Sequence, residues 1–344
     1  LSLRACAHLI IYLSAAYFLF QALVLTGRAR SALGAAALAS GLFSAHALLQ
    51  FTGLDFLSFQ IPFRNDFIGG YQIYSVFGNP NLLGDFLAIS FPMIVGLWAE
   101  ERNLRLRVVY MTCGALTLTA LCLTMSRGAI LGAAAGAAVF LWARHAGRGR
   151  SGAAAAAAAA TVFIVAAAVC AALVLGRNQA KSESMRMREI TQSVTLLMAR
   201  DNPVLGVGFD RYRHEHLTYQ ARYFKDPANR EFAHLANREK QRHAHNEFLQ
   251  IPAEMGLVGL AAFLALLASL GWPLARAARG REPDACAAGL LGAGASFCAA
   301  AAFSFPLRVP QTASLLCVLA ACAMAISARP AAAADNIHLP LPRL

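Results

Sequence analysis

Apolar residues run through this chain in blocks of about 20, the length at which a helix crosses the hydrocarbon core of a bilayer. Nine such blocks fall at about 6–25, 31–51, 80–99, 107–125, 128–143, 153–175, 250–271, 285–304 and 311–328. The blocks are continuous. That excludes an outer-membrane barrel, whose strands alternate apolar and polar residues. The pattern predicts an all-α, polytopic helical membrane protein with one long, partly helical extramembrane loop. Six spans form an N-terminal bundle over 1–175, the loop occupies 176–249, and three spans and a tail fill 250–344. The Ala run at 153–160 supplies small residues for close helix packing within its block.

The loop has a pattern of its own. Met187, Ile190, Val194 and Leu197 follow helical spacing. Asp201-Asn202-Pro203 ends that helix, because proline disfavours helical geometry in the residue before it. Asp226-Pro227 predicts the cap and first turn of another helix over about 227–242. Phe209, Tyr212, Tyr219, Tyr223 and Phe224 either pack the loop on itself or rest it at the membrane interface.

Composition agrees with this layout. The chain is 58% hydrophobic and 14% charged, with mean hydropathy +0.52. Soluble domains are about 45–50% apolar and about 25% charged. The net charge of +12 does not imply nucleic acid, because the charges sort by loop as membrane insertion demands. Arg28 and Arg30; Arg102, Arg105 and Arg107; Arg144, Arg148 and Arg150; and Arg276, Arg279 and Arg281 occupy alternate short loops. The positive-inside rule makes their side cytoplasmic. The opposite side then carries 52–79, the turn at Ser126-Arg127-Gly128, the loop 176–249 and the turn Pro306–Pro310. Lys and Arg crowd between Arg177 and Arg242, but long translocated segments escape the rule. This topology puts Leu1 outside, so an odd number of spans is expected ahead of it. The first residues show no basic-then-apolar pattern, so a signal peptide is not expected in this stretch. Cys6, Cys113, Cys122, Cys170, Cys286, Cys298, Cys317 and Cys322 all fall inside predicted spans, so no disulfide framework is expected in the loop.

The candidate chemistry lies on the outer side. His245-Asn246 closes the long loop at the mouth of the next span. A neutral imidazole there is suited to accept a hydroxyl proton, although an interfacial His also serves simply to cap a helix. Gly256 and Gly259 would let another helix approach closely. Arg127 sits at the outer turn of a helical hairpin, where a lone Arg commonly snorkels. Arg186 and Arg188 lie near the start of a helix. Guanidinium groups and free N–H groups there suit a phosphate, and a solvated basic face is the plainer alternative. Pro203-Val204-Leu205-Gly206-Val207-Gly208 reads as a structural turn, since no strand precedes its Gly-x-Gly. His214, His216, His234, His243 and His245 match no familiar zinc spacing, so no metal and no cofactor are expected. Asp85 and Glu254 fall inside predicted spans near the outer face. Acids there are costly and mark function unless they sit at helix ends.

Together these residues resemble the O-antigen ligase and polymerase superfamily of bacterial membrane glycosyltransferases. That family shows His-Asn, nine residues, Gly, two residues, Gly at the end of a long periplasmic loop, and His245, Asn246, Gly256 and Gly259 fit without a gap. Arg127 in SRG resembles the family's outer-turn Arg. Arg188 stands about fifteen residues before the Pro203, Gly206, Gly208 turn, as in the family. Asn79 in Gly78-Asn79-Pro80-Asn81 is similar to its NPN element. Gln192 departs from the pattern at a place often held by Trp.

The resemblance implies transfer of a glycan from a polyprenyl-diphosphate carrier such as undecaprenyl diphosphate to an acceptor hydroxyl, lipid A–core foremost, at the periplasmic face of the inner membrane. In lipopolysaccharide biosynthesis this is the ligase step. The implied roles are His245 as base; Arg127, Arg188, Arg186 and Arg211 on the diphosphate; and Asn246, Glu254, Gly256, Gly259 and Asn79 in support. Within the superfamily, a polysaccharide polymerase and a ligase with a protein acceptor share these motifs. From other classes, a transporter of lipid-linked glycans would place charge along a midplane pathway between related halves, and a structural scaffold would leave the charged residues apart. The partners expected are the lipid-linked donor, the acceptor and membrane lipid, not nucleic acid.

Overall fold

The computed structural model describes residues 3–55, 64–65, 70–145, 154, 180–236, 242–280 and 283–328. Among the described residues, seven helices are long and apolar enough to cross a bilayer. They are α1 (Leu3–Thr26), α2 (Ala29–Phe51), α3 (Pro80–Glu100), α4 (Leu104–Leu123), α5 (Arg127–His145), α10 (Glu247–Arg279) and α12 (Pro310–Ser327). A shorter apolar helix, α11 (Ala285–Ala301), stands between the last two. Every predicted block thus has its helix except 153–175, which, apart from residue 154, lies outside the described residues. Strand pairing among the described residues is limited to Arg64–Asn65 against Gly70–Tyr71, antiparallel. Cys6, Cys113, Cys122, Cys286, Cys298, Cys317 and Cys322 are free thiols.

The bundle is centred on α11, which packs most extensively on α5 and α3. In lipid, helices gain little from apolar burial and associate through close packing. The sequence meets this with small residues. A Cβ on Gly96 of α3 would stand 2.6 Å from the Ala285 carbonyl oxygen, and one on Gly136 of α5 would stand 2.6 Å from that of Gly292. Larger side chains there would push the backbones apart and forfeit many dispersion contacts of about 0.1–0.2 kcal/mol each.

Charge is segregated to the two ends. At one end, Arg30 pairs with Glu100 (3.1 Å), Arg144 donates to the Pro283 carbonyl (3.0 Å), and Arg107 and Arg279 lie over Trp98 and Trp142. The motif residues gather at the other end. The alternate loops seen in the sequence therefore do share a side, opposite the candidate site. The start of the segment 52–79 is held on the motif side by a buried polar cluster. His46 Nδ1 lies 3.1 Å from Ser75 Oγ, its Nε2 lies 3.4 Å from Asp55, and Gln50 accepts from the N–H groups of Tyr74 and Ser75. Ser75 is 1% exposed, so this Ser-His-Asp grouping pins a loop and offers no nucleophile to solvent.

Inside the long loop, α6 (Ala180–Asp201) carries the predicted stripe. Ile190 and Val194 are buried against Tyr219, Tyr223, Phe224 and Phe232. The aromatics therefore pack the loop on itself. Several stand on α7 (Tyr212–Tyr223), a helix the polarity of the sequence concealed. The helix expected over 227–242 is interrupted among the described residues. Asp226 caps it as predicted, but the helix consists of two single turns, α8 (Pro227–Arg230) and α9 (Ala233–Ala236). Between them Phe232 turns inward against the Ile190–Val194 cluster, so packing overrides local continuation. Residues 237–241 lie outside the described residues.

Candidate active site

Two local breaks build the site's frame. Asn246 is the N-cap of α10, its side chain accepting from the Leu249 N–H (3.2 Å). His245 therefore does not cap the helix. It occupies the left-handed region at φ 54°, at a cost of about 1–2 kcal/mol for a non-glycine residue. Met125, just before the SRG turn, is also left-handed at φ 54°. Asn79 caps α3 and accepts from the Asn81 N–H (2.8 Å), with Pro80 at the first helical position.

The second break is at Gly256, where α10 kinks with φ 63° and ψ −166°. The 203–208 turn fits into the gap. The N–H groups of Val207 and Gly208 donate to the Ala253 and Glu254 carbonyls (both 2.9 Å), and Leu257 N–H donates to the Pro203 carbonyl (2.8 Å). The turn thus satisfies the backbone groups that the kink releases, which matters where water is scarce. A Cβ on Gly256 would lie 2.0 Å from the Val204 carbonyl oxygen, and one on Gly206 would lie 2.3 Å from the Glu254 carbonyl carbon. The expectation that Gly256 and Gly259 admit a neighbouring helix is therefore corrected. Gly256 admits the 203–208 turn, and Gly259 makes room for the Met255 side chain that the kink swings beside it. Gly256→Ala should destabilise the protein by at least about 2–3 kcal/mol, combining left-handed strain with a backbone clash. Thermal unfolding in detergent, with wild type alongside, checks this.

Under the kink lies a buried ion network. Arg308, on the 3-10 turn Pro306–Arg308, pairs with Glu254 (2.9 Å) and reaches Glu247 (3.5 Å). Both acids are 1% exposed. Gln250 links the set, donating to Glu254 (3.2 Å) and accepting from the Ala244 N–H (2.8 Å). Burial favours the neutral form of Arg308, but Glu254 and Glu247 outweigh it and raise its pKa. The network ties the turn after α11 to the start of α10. It also presents Phe305 to His243 (stacked, 4.4 Å) and His245 (edge-on, 5.0 Å).

Arg127, Arg188 and His245 come together on this frame. Gly84 brings the start of α3 against Ser126 and Ala129, and Gly128 brings the start of α5 against Phe303. Arg188 is close enough to Arg127 and Asp85 for both to act on it. Burial, then the Arg127 charge, pull its pKa below the ordinary guanidinium value, with Asp85 opposing. His245 is pushed down to about 4, first by burial and then by the Arg188 charge. Its ring is therefore neutral at neutral pH and able to accept a proton. Arg186 and Arg211 are turned to other partners. Arg186 pairs with Glu189 (2.9 Å) and lies over Phe232, and Arg211 pairs with Glu215 (2.8 Å).

The other histidines are scattered. His216 is fully buried beside Tyr212, its pKa lowered to about 4 by burial. His243 is lowered to about 3, by burial first and then by Arg308. His234 bonds the Glu231 carbonyl. Among the described residues no three His, Cys, Asp or Glu side chains form a group that could hold a metal.

The residues least visible beforehand are Glu247, Ser304, Phe305 and Arg308. A signal existed for Arg308, a lone charge between two prolines beside an apolar span.

Residues 112–264 match the O-antigen ligase family. The matched stretch carries Arg127, Arg188, the 203–208 turn, His245, Gly256 and Gly259, and so supports the superfamily that these motifs resemble. It supports a multi-pass bacterial membrane protein of the glycosyltransferase type found among O-antigen ligases and polymerases. Asp85 and Arg308 lie outside it. A search of curated proteins finds no match.

Proposed function

We propose that this chain is a ligase that moves a glycan from a polyprenyl-diphosphate carrier to an acceptor hydroxyl, lipid A–core foremost, at the periplasmic face of the inner membrane. The observation that carries this reading is the meeting of Arg127 and Arg188 beside the neutral His245, within the segment that matches the O-antigen ligases. The carrier's lipid tail would lie among the membrane helices, with its diphosphate on Arg127 and Arg188. Arg186 and Arg211 would contribute from the rim.

In the reaction the acceptor oxygen attacks the anomeric carbon. Its proton passes to the His245 imidazole. The bond from the anomeric carbon to the carrier phosphate breaks, and the electron pair leaves on the polyprenyl diphosphate. Direct displacement inverts the anomeric centre. Fixed cations at the leaving diphosphate stabilise charge as it develops, so the mechanism requires neither metal nor cofactor.

The test is a transfer assay in liposomes with a lipid-linked glycan and lipid A–core, with and without chelator. Chelator-resistant transfer to lipid A–core is expected. A ladder of longer lipid-linked glycans would make the chain a polymerase instead. Transfer only when a protein acceptor is supplied would make it a protein O-glycan ligase. Absence of any product would sink the proposal.

A further inference from the structure

A general base works only if its accepting nitrogen is aimed, and in familiar arrangements a third group bonded to the base aims it. The Asn246 cap and the left-handed backbone fix where the Cα of His245 stands, not how its ring turns. Among the described residues no hydrogen bond engages that ring. What the ring meets is Phe305, edge-on with centroids 5.0 Å apart. Phe305 is firmly held. It lies between the buried Ser304 and Pro306 and packs against the bundle core. Its carbonyl accepts from the Arg308 N–H (3.0 Å). The last two residues of its turn are tied to α10, Leu307 N–H donating to Glu247 (3.2 Å) and the Arg308 guanidinium pairing with Glu254 (2.9 Å). Gln250, on the same face of that helix, accepts from the N–H of Ala244 (2.8 Å), the residue just before His245. One helix face thus holds both the chain that carries the imidazole and the turn that carries the phenyl ring.

We infer that Phe305 is a positioning residue for His245, a fixed aromatic stop that keeps the imidazole turned toward the acceptor hydroxyl. This rests on His245 being the base, as proposed above. Phe305 touches neither substrate in this role and acts through the ring it contacts. The competing role for an aromatic residue at a sugar site is a platform on which the glycan stacks. His243 already stacks on the Phe305 ring, centroids 4.4 Å apart, and that favours positioning.

Two readouts of the liposome transfer assay, with the full chain, a lipid-linked glycan and lipid A–core, separate the roles. Phe305→Ala should lower kcat by about tenfold or more, since a misplacement of about 1 Å costs up to about 10²-fold. KM for donor and acceptor should stay within about twofold, because no ground-state contact is lost. Phe305→Tyr should keep kcat near wild type, because it keeps the ring. Phe305→Leu should not, because it fills the space without a flat face. A raised KM with unchanged kcat would make Phe305 a binding platform and overturn the inference, as would full activity in Phe305→Leu or unaltered kinetics in Phe305→Ala.

The second readout is coupling. In His245→Ala the ring to be positioned is gone, so adding Phe305→Ala should lower the residual rate by less than about twofold. A further loss as large as the one in the wild-type background would mean that Phe305 acts independently of His245, and the inference would fall. If Phe305→Ala does not accumulate in membranes, Phe305→Leu, which keeps most of the apolar volume, carries both readouts. His245→Ala that transfers at the wild-type rate overturns the base reading and this inference with it. A crippled His245→Ala beside an indifferent Phe305→Ala overturns only the role of Phe305.

Discussion

His245→Ala should lower the transfer rate by about 10²–10⁴-fold, the usual contribution of a positioned general base, while the protein still inserts and stays monodisperse. The fold should survive because α10 is capped by Asn246, and the buried Ala244 is held through Gln250. The ring itself contacts Phe305 at the rim of the ion network. Initial-rate transfer in liposomes, normalised to folded protein, is the measurement. Full retained activity would remove His245 from the chemistry.

The pH profile gives a second, independent reading of the same residue. Its pKa is held down to about 4 by burial and by Arg188. The base is therefore already neutral through the ordinary range of His titration, and it is lost only as pH falls through about 4. The acid limb of kcat/KM, which reports the free enzyme, should sit near pH 4 and not near the ordinary His value of about 6.5. Bound diphosphate adds negative charge beside the ring, so the limb of kcat should lie higher. Arg188→Gln removes a positive charge and should move the kcat/KM limb upward too. An acid limb near 6.5 in wild type would contradict the buried, Arg-flanked setting.

Arg188→Ala is expected to reduce kcat/KM by about 10²–10³-fold, the range seen when one preorganised donor to a developing charge is removed. Arg127→Ala should fall in the same range. The two charges act on each other, so the double variant should lose less than the product of the single losses. Arg186→Ala and Arg211→Ala should cost under about tenfold, because each is already engaged in a surface ion pair that contributes little elsewhere. Donor titrations at saturating acceptor separate these cases. Unchanged donor dependence in both Arg188→Ala and Arg127→Ala would dissolve the diphosphate clamp.

The elements were legible in the chain to different degrees. Membrane spans were plain because the bilayer imposes one length and one polarity on every crossing helix. The Ile190–Val194 stripe was readable because α6 packs by one face. The helix α7 was missed although Tyr212, His216, Tyr219 and Tyr223 stand at helical spacing. Its buried face uses polar aromatics and a histidine, which a simple apolar pattern does not register. The single turns at Pro227–Arg230 and Ala233–Ala236 were over-extended, because a good cap says where a helix starts and not where packing stops it.

The same division holds at the site. Span order and charge sorting, which are local and additive, already placed His245 and Arg127 at helix mouths on the side away from the short Arg-rich loops; Arg188, read as near a helix start, instead stands more than two turns inside α6, so no free N–H groups of a helix end lie beside it. Sequence also set Gly256 at a fixed distance from His245. What these residues meet depended on how the bundle packs. A kink at Gly256 could not be foreseen as the seat of the 203–208 turn, since that contact joins segments about fifty residues apart through backbone hydrogen bonds that leave no side-chain signature. The pairing of Arg308 with Glu247 and Glu254 was likewise hidden. A charge in a membrane helix declares that it needs a partner, but partner choice depends on which helix ends the packed bundle brings together.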